Sequence, residues 1–222
     1  MPKINWNLVD DGFCWDALPS RQTLEIGNAC EDIFANHHRK FGIRNVVNQS
    51  DRLREAILET MLPVARKHLD SKAFLVRSTL FNKPEESNWA VPWHQDVTIE
   101  VKDQVEVDGF GPWSIKDGLV SVQPPQHVLE NMLTLRLHLD ETNEENGSLL
   151  VDPGSHRLGK LRIEHIAPSN PIACNCESGD ILIMRPLLFH ASNRSINSKP
   201  RRVLHLDFAF KPLPTPLLWR TL

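Results

Sequence analysis

The spacing of apolar residues changes character near residue 72. Before that point it is helical. In SRQTLEIGNACEDIFANHHRKFG, apolar side chains recur at Leu24, Ile26, Cys30, Ile33 and Phe34, with Ser20 ahead of them as a candidate N-cap and Gly42 behind them as a stop. In SDRLREAILETMLPVARKHL, the apolar positions are Leu53, Ile57, Leu58, Met61, Leu62, Val64 and Ala65, and Ser50 or Asp51 is the candidate cap. Pro63 lacks the N–H that an interior turn needs and predicts a kink or break. His37 and His38 then fall near a helix C-terminus, where positive charge is favoured.

Beyond residue 72 the period shortens. AFLVRSTLF, VPWHQDVTIEV, MLTLRLHLDE, GSLLVDPG, GDILIMRPLLFHA and RRVLHLDFAF are short, aliphatic or β-branched, and bounded by Gly, Pro, Asn or Asp. MLTLRLHLD alternates, with Leu133, Leu135, Leu137 and Leu139 on one face and Thr134, Arg136, His138 and Asp140 on the other. Such a strand turns one face to an apolar layer and the other to a polar space. Strands following two helices predict a mainly β fold. The expected form is an antiparallel double-sheet barrel, or jelly roll, with the N-terminal helices packed on its outside. The polar face of the alternating strand would line a pocket inside it. The chain reads as a single domain, 1–222, with a helical part at 1–71 and the barrel core at 72–212. Residues 102–130 show no regular period and contain three prolines and Trp113. A stretch this long without its own structure is functional or disordered. Its aromatic and aliphatic content predicts an ordered lid.

Composition removes several function classes. The 222 residues carry a formal net charge of −3 with no long basic run, so nucleic acid is not an expected partner. No apolar run reaches the roughly 18 residues of a transmembrane helix, so no membrane is expected either. The opening MPKINWNLVDDGF lacks the apolar core of a signal peptide and carries acids early, which predicts a cytoplasmic protein. Cys174 and Cys176 form a C-x-C pair without a matching pair, and with Cys14 and Cys30 they read as ordinary thiols.

The candidate chemistry lies in VPWHQD. On a strand, residues i and i+2 share a face, so His94 and Asp96 can present two donors together. Two imidazoles and one carboxylate on one side of an ion make the iron(II) centre that leaves positions open for cosubstrate and dioxygen. His190, 96 residues downstream in RPLLFHAS, is the candidate third donor and requires a closed barrel to reach the others. H-x-D recurs at His138/Asp140 and His205/Asp207, where hydrogen-bonded strand residues are the plainer reading. A surface turn is the plainer reading of VPWHQD itself. Arg201, 11 residues after His190, offers a planar fork for a carboxylate, and Ser192 can add a hydroxyl to the same group. Arg201 and Arg202 also suit a solvated strand edge. Trp93 is expected to point from the donor face into the core between sheet and helices, with Pro92 starting the strand. Asn146-Gly147 and Asp152-Pro153-Gly154 are turn signals, and His156 reads as structural.

Taken in order, WHQD, LHLDETNEENGSLLVDPGSHR, GDILIMRPLLFHAS and RRVLHLDFAF resemble the phytanoyl-CoA dioxygenase family of iron(II)/2-oxoglutarate oxygenases over about residues 73–210. The resemblance implies a double-stranded β-helix. It implies Fe(II) held by His94, Asp96 and His190, 2-oxoglutarate held by Arg201 with Ser192, an aromatic near the cosubstrate at Trp113, and dioxygen as oxidant. The expected reaction couples decarboxylation of the cosubstrate to oxidation of an unactivated carbon, most simply hydroxylation. Asp96 disfavours halogenation, because related halogenases lack that carboxylate. The chain has no obvious basic patch for a CoA thioester, so the expected substrate is a small polar molecule, such as an amino acid derivative or a specialised metabolite. Arg136, Arg77, Thr134 and His138 are the candidate pocket residues. Arg136 would bind a substrate anion or else pair with an acid such as Asp140 or Glu100. The alternatives from other classes are a cupin-type metal enzyme without 2-oxoglutarate and a non-catalytic binding barrel. Arg201 speaks against the first and the complete donor set against the second.

Overall fold

The structure is a computed structural model and describes residues 6–37, 42–82, 89–197, 199 and 201–220. Two helices form the outer layer. Helix α1 spans Ser20–Asn36 and α2 spans Asp51–His68. Ser50 caps α2 by accepting the Leu53 amide at 3.2 Å, as its sequence position predicts. Ser20 is the first residue of α1 rather than its cap, and α1 ends at Asn36, before Gly42. His38 lies outside the described residues. Pro63 does not end α2, which runs on to His68. It sits on the exposed face, where the carbonyl it cannot satisfy is open to water.

The strands of the main sheet are β1 (Phe13–Ala17), β2 (Gly42–Arg44), β3 (Phe74–Asn82), β8 (Met132–His138), β11 (Asp180–Met184) and β13 (Arg202–Ala209). Their order is β1-β11-β8-β13-β3-β2, antiparallel throughout. The facing sheet contains β4 (Val91–His94), β9 (Leu149–Val151), β10 (Ile172–Cys174) and β12 (His190–Ser192), ordered β10-β9-β12-β4. The predicted jelly roll is thus present, a mainly β fold with its helices outside. β1, β2 and β10 are strands that the apolar pattern did not predict.

Alternation decides which side chains face where. Leu133, Leu135 and Leu137 of β8, Ile181 and Ile183 of β11, and Leu204, Leu206 and Phe208 of β13 pack with Ile26, Cys30, Ile57 and Met61 of the helices. The opposite faces of the same strands look into the sandwich. There Leu182 and Met184 join Phe13, Val151 and Cys174 in an apolar cluster at one end. Thr134, Arg136, His205 and Asp207 supply the polar part of the interior. All four cysteines are buried free thiols.

Residues 102–130, expected as a lid without regular period, have regular structure. They contain β6 (Trp113–Lys116) and β7 (Leu119–Val122), joined by Asp117-Gly118, and α3 (Gln126–Glu130). Both turn residues have positive φ, 54° and 74°, the geometry of the two-residue turn whose twist matches its strands. This hairpin extends β5 (Ile99–Val101) into a three-stranded sheet. Val122 of the hairpin, Phe110 before it and Leu129 of α3 cluster with Leu213, Leu217 and Trp219 of the C-terminal segment.

Candidate metal centre and cosubstrate cavity

The predicted strand VPWHQDVTIEV is broken. β4 stops at His94 and β5 starts at Ile99, so Asp96 belongs to the irregular segment between them, and its amide donates to the Pro186 carbonyl at 2.9 Å. GDILIMRPLLFHA is likewise two strands in different sheets, β11 and β12. The crossover sets His190 directly opposite His94 in the β12–β4 ladder, with ring centroids 4.1 Å apart. One donor atom each from His94, Asp96 and His190 lies within 4.8 Å of the others, and this is the one such group of three among the described residues.

The donor chemistry fits a metal ion. His94 Nδ1 lies 2.8 Å from the Pro92 carbonyl, and His190 Nδ1 lies 2.9 Å from the Leu188 carbonyl. A carbonyl only accepts, so each Nδ1 carries the proton and each Nε2 keeps its lone pair for a metal. Asp96 Oδ2 is buried and accepts no hydrogen bond, with His190 Nε2 at 3.6 Å. Burial pushes His190 down to about 4, which keeps it neutral for ligation. Burial opposes ionisation of Asp96, but His190, His205 and Arg77 outweigh it and hold the carboxyl below its ordinary range. A neighbouring cation would strengthen both tendencies.

Short polar links hold this constellation. Gln95, buried between the two candidate ligands, donates to the carbonyls of Leu187 at 2.7 Å and Gly159 at 2.8 Å and accepts the Leu161 amide at 2.9 Å. The VDPGSH turn fixes the approach to His190 from the other side. The Asp152 amide bonds the Phe189 carbonyl at 3.0 Å, and Ser155 Oγ accepts the Phe189 amide at 2.8 Å. His156 packs over Gly12 and meets the Val9 carbonyl at 3.2 Å, a structural position outside the cavity.

The donors open onto a cavity of about 110 Å³ between the sheets. Arg136, Arg201, Ser192 and His205 supply its other polar walls, and Phe81, Trp89, Val91, Leu149 and Val203 its apolar ones. Arg201 is buried, and its Nη1 donates to the Gly147 carbonyl while Nε has no partner. Burial, with the Arg136 charge nearby, lowers Arg201 to about 10, so it stays charged near neutral pH. Gly147 has φ +75°, and an added Cβ would sit 2.5 Å from the Asn193 carbonyl oxygen, so only glycine suits this turn. Arg202 faces the other way, pairing with Asp140 at 2.5 Å and with Glu31.

Several sequence expectations need correction. Arg77, Thr134 and His138 do not line this cavity. Arg77 pairs with Asp207 and donates to the Thr98 carbonyl at 3.1 Å, and Thr134 donates to Asp207 at 2.7 Å. His138 meets Thr142 Oγ1 at 3.1 Å. Arg77 and Thr134 are held instead by the buried carboxylate of Asp207, which needs donors, and His138 by the loop residue Thr142. Arg136 pairs with neither Asp140 nor Glu100. Its Nη1 lies 3.0 Å from His205 Nδ1. Trp113 belongs to the hairpin cluster, not to the cavity wall, because its strand pairs with β7 in the third sheet. No residue of 102–130 lines the cavity among the described residues. Trp93 is half-buried and in none of the apolar clusters. His205, Trp89 and Phe81 were missed as cavity residues. His205 was legible, because it follows Arg201 and Val203 at period two.

A jelly roll with this donor set beside a buried arginine defines a non-haem iron oxygenase. The chain belongs to the phytanoyl-CoA dioxygenase family, whose profile matches residues 21–203, and is a 2-oxoglutarate-dependent dioxygenase of that family using Fe(II), 2-oxoglutarate and dioxygen. Solved structures of similar fold include AviO1 from Streptomyces viridochromogenes Tue57, with TM-score 0.65, 19% identity, and 94% of this chain and 95% of that one covered. The iron-bound EctD from S. alaskensis has TM-score 0.71 and 19% identity, over 94% of this chain and 77% of that one. SnoK, a carbocyclase from nogalamycin biosynthesis, has TM-score 0.70 and 13% identity, over 96% and 83%. No curated protein matches the chain in sequence. No helix among the described residues is long and apolar enough to cross a membrane.

Proposed function

We propose that this dioxygenase hydroxylates a small polar molecule, such as an amino acid derivative or an intermediate of specialised metabolism. His94, Asp96 and His190 hold the iron. Arg201, with Ser192 two residues after His190 on β12, takes the distal carboxylate of 2-oxoglutarate. When bound, iron and 2-oxoglutarate supply, with dioxygen, the oxidant for an unactivated C–H bond. The chain's own work is to orient the reacting carbon and to exclude water from the cavity by Phe81, Trp89, Leu149 and Val203. The observation that carries the reading is the meeting, in one cavity, of the three donors within 4.8 Å and a buried arginine with an unpartnered Nε. The absence of an obvious basic patch for the phosphates of a CoA thioester supports a small substrate. One structure of similar fold, EctD, was solved with 2-oxoglutarate and 5-hydroxyectoine, a small polar molecule.

The test is succinate release from 2-oxoglutarate with Fe(II) and ascorbate over a panel of small polar compounds, with product mass recorded. A substrate-dependent succinate signal with a 16 Da gain supports hydroxylation. His190→Ala should lose both iron and turnover. Full iron occupancy with normal turnover in that variant would sink the ligand assignment.

A further inference from the structure

The metal cavity contains two buried arginines. Arg201 and Arg136 are each 8% exposed, and both line its wall. Neither has a carboxylate partner among the described residues, and the Nε of each is buried without a hydrogen bond. The arginine that does have an acid inside the barrel, Arg77, has taken Asp207. Arg136 meets instead an imidazole that cannot neutralise it. His205 Nε2 lies 3.1 Å from Asp207 Oδ1, which only accepts, so Nε2 carries a proton. Its Nδ1 then accepts from Arg136 Nη1 at 3.0 Å. The chain Arg77–Asp207–His205–Arg136 holds the last guanidinium in place without an ion pair to it; Asp96 and Asp207 act on it only at longer range, and Asp207 is already taken by Arg77.

Among the described residues Asp96 is the one acid in the wall, and it balances one of the two arginines. A divalent ion and a doubly charged cosubstrate balance each other. One buried guanidinium remains, and a buried charge without a counter-charge is strongly disfavoured. Arg201 has a second natural partner for a carboxylate in Ser192, on the neighbouring wall. Arg136 is the residue left over.

We propose that Arg136, steadied by His205, is an anion subsite for the primary substrate, which is therefore a small carboxylic acid whose apolar part lies against walls such as Phe81, Trp89 and Val203. This rests on the oxygenase reading above and narrows its substrate class. A bidentate guanidinium–carboxylate pair would fix one end of the molecule and so decide which carbon is presented for oxidation.

The probe pair is hexanoate and hexanamide, matched in shape and differing in charge. Each is titrated calorimetrically into full-length protein loaded with Mn(II) and saturating 2-oxoglutarate under argon, so that no turnover occurs. Hexanoate should bind at least tenfold more tightly than hexanamide. Arg136→Gln should abolish that preference while changing the 2-oxoglutarate affinity less than threefold, and Arg136→Lys should restore part of it. Equal binding of the two probes to the wild type overturns the proposal, whether or not the variants fold. A large loss of 2-oxoglutarate affinity in Arg136→Gln also overturns it and assigns Arg136 to the cosubstrate. If the wild type binds no 2-oxoglutarate, the oxygenase reading itself falls and this inference with it. Retained 2-oxoglutarate binding with no probe preference removes the inference alone.

Discussion

Adjacent arginines on one strand edge do opposite work. Arg201 turns to the cavity with a spare Nε, while Arg202 turns out to Asp140 and Glu31. Arg201→Ala should weaken 2-oxoglutarate binding by about 2–5 kcal/mol, as loss of one partner of a buried charged pair does. Arg202→Ala should leave that affinity nearly unchanged. Equilibrium binding to the Mn(II)-loaded variants checks both, and the reverse ranking would mean that the strand faces are exchanged. Asp207 is a second informative residue. Burial opposes its ionisation, but Arg77, His205 and Thr134 outweigh it and hold the carboxyl far below its ordinary range. A folded-state value below the unfolded one gives stability that is complete above the unfolded pKa, about 4, and is lost as pH falls toward the folded value. The urea midpoint of the wild type should therefore fall steeply below about pH 4. Asp207→Asn should start lower and fall less over the same interval. Parallel curves for the two proteins would show that Asp207 does not carry this charge linkage.

At the scale of elements, the site depends on strand ends and turns more than on strands. The H-x-D pattern points to a shared strand face for i and i+2, yet β4 ends at His94 and Asp96 is presented by the irregular segment that follows. The right residues were legible for an incomplete reason. Face alternation was reliable wherever both neighbours of a strand were present, as in the leucine and polar faces of β8. It could not show that β12 pairs with β4 across 96 residues, because that register is set by packing of distant segments. The Asp117-Gly118 hairpin, by contrast, was locally written and was masked by the prolines around it. The role of Gln95 was hidden because its three partners come from two other loops. Gln95→Leu leaves two carbonyls and one amide without their partner, at about 1–3 kcal/mol for each group that water cannot reach. Hydrogen exchange at the Leu161 amide should accelerate markedly in this variant while the β8 and β13 amides stay protected. Unchanged exchange at Leu161 would show that the 159–161 loop is held by other means.

At the scale of the whole molecule, the jelly roll spends its interior unevenly. One end is filled by apolar side chains around Phe13 and Met184, and the other is left polar around the donors, Arg136 and Arg201. The apolar end and the outer helices secure the fold. The polar end brings like-charged guanidinium groups together and leaves Asp96 Oδ2 without a hydrogen bond. Such a site is a local defect in the ligand-free protein and a source of stability once filled, because a ligand that binds only the folded chain stabilises it by mass action. At a free Mn(II) concentration one hundred times its Kd the gain is about 2.7 kcal/mol, which for a domain of this size is roughly 5–10 °C in Tm. Saturating 2-oxoglutarate should add a further upward shift only when the metal is present, since its anchoring needs both the ion and Arg201. His190→Ala should lose the metal response, and Arg201→Ala should keep it while losing the 2-oxoglutarate increment. Thermal scans of the three proteins, with and without each ligand, separate the two contributions. A 2-oxoglutarate shift of full size without metal, or an undiminished increment in Arg201→Ala, would show that the cosubstrate is held elsewhere than in this cavity.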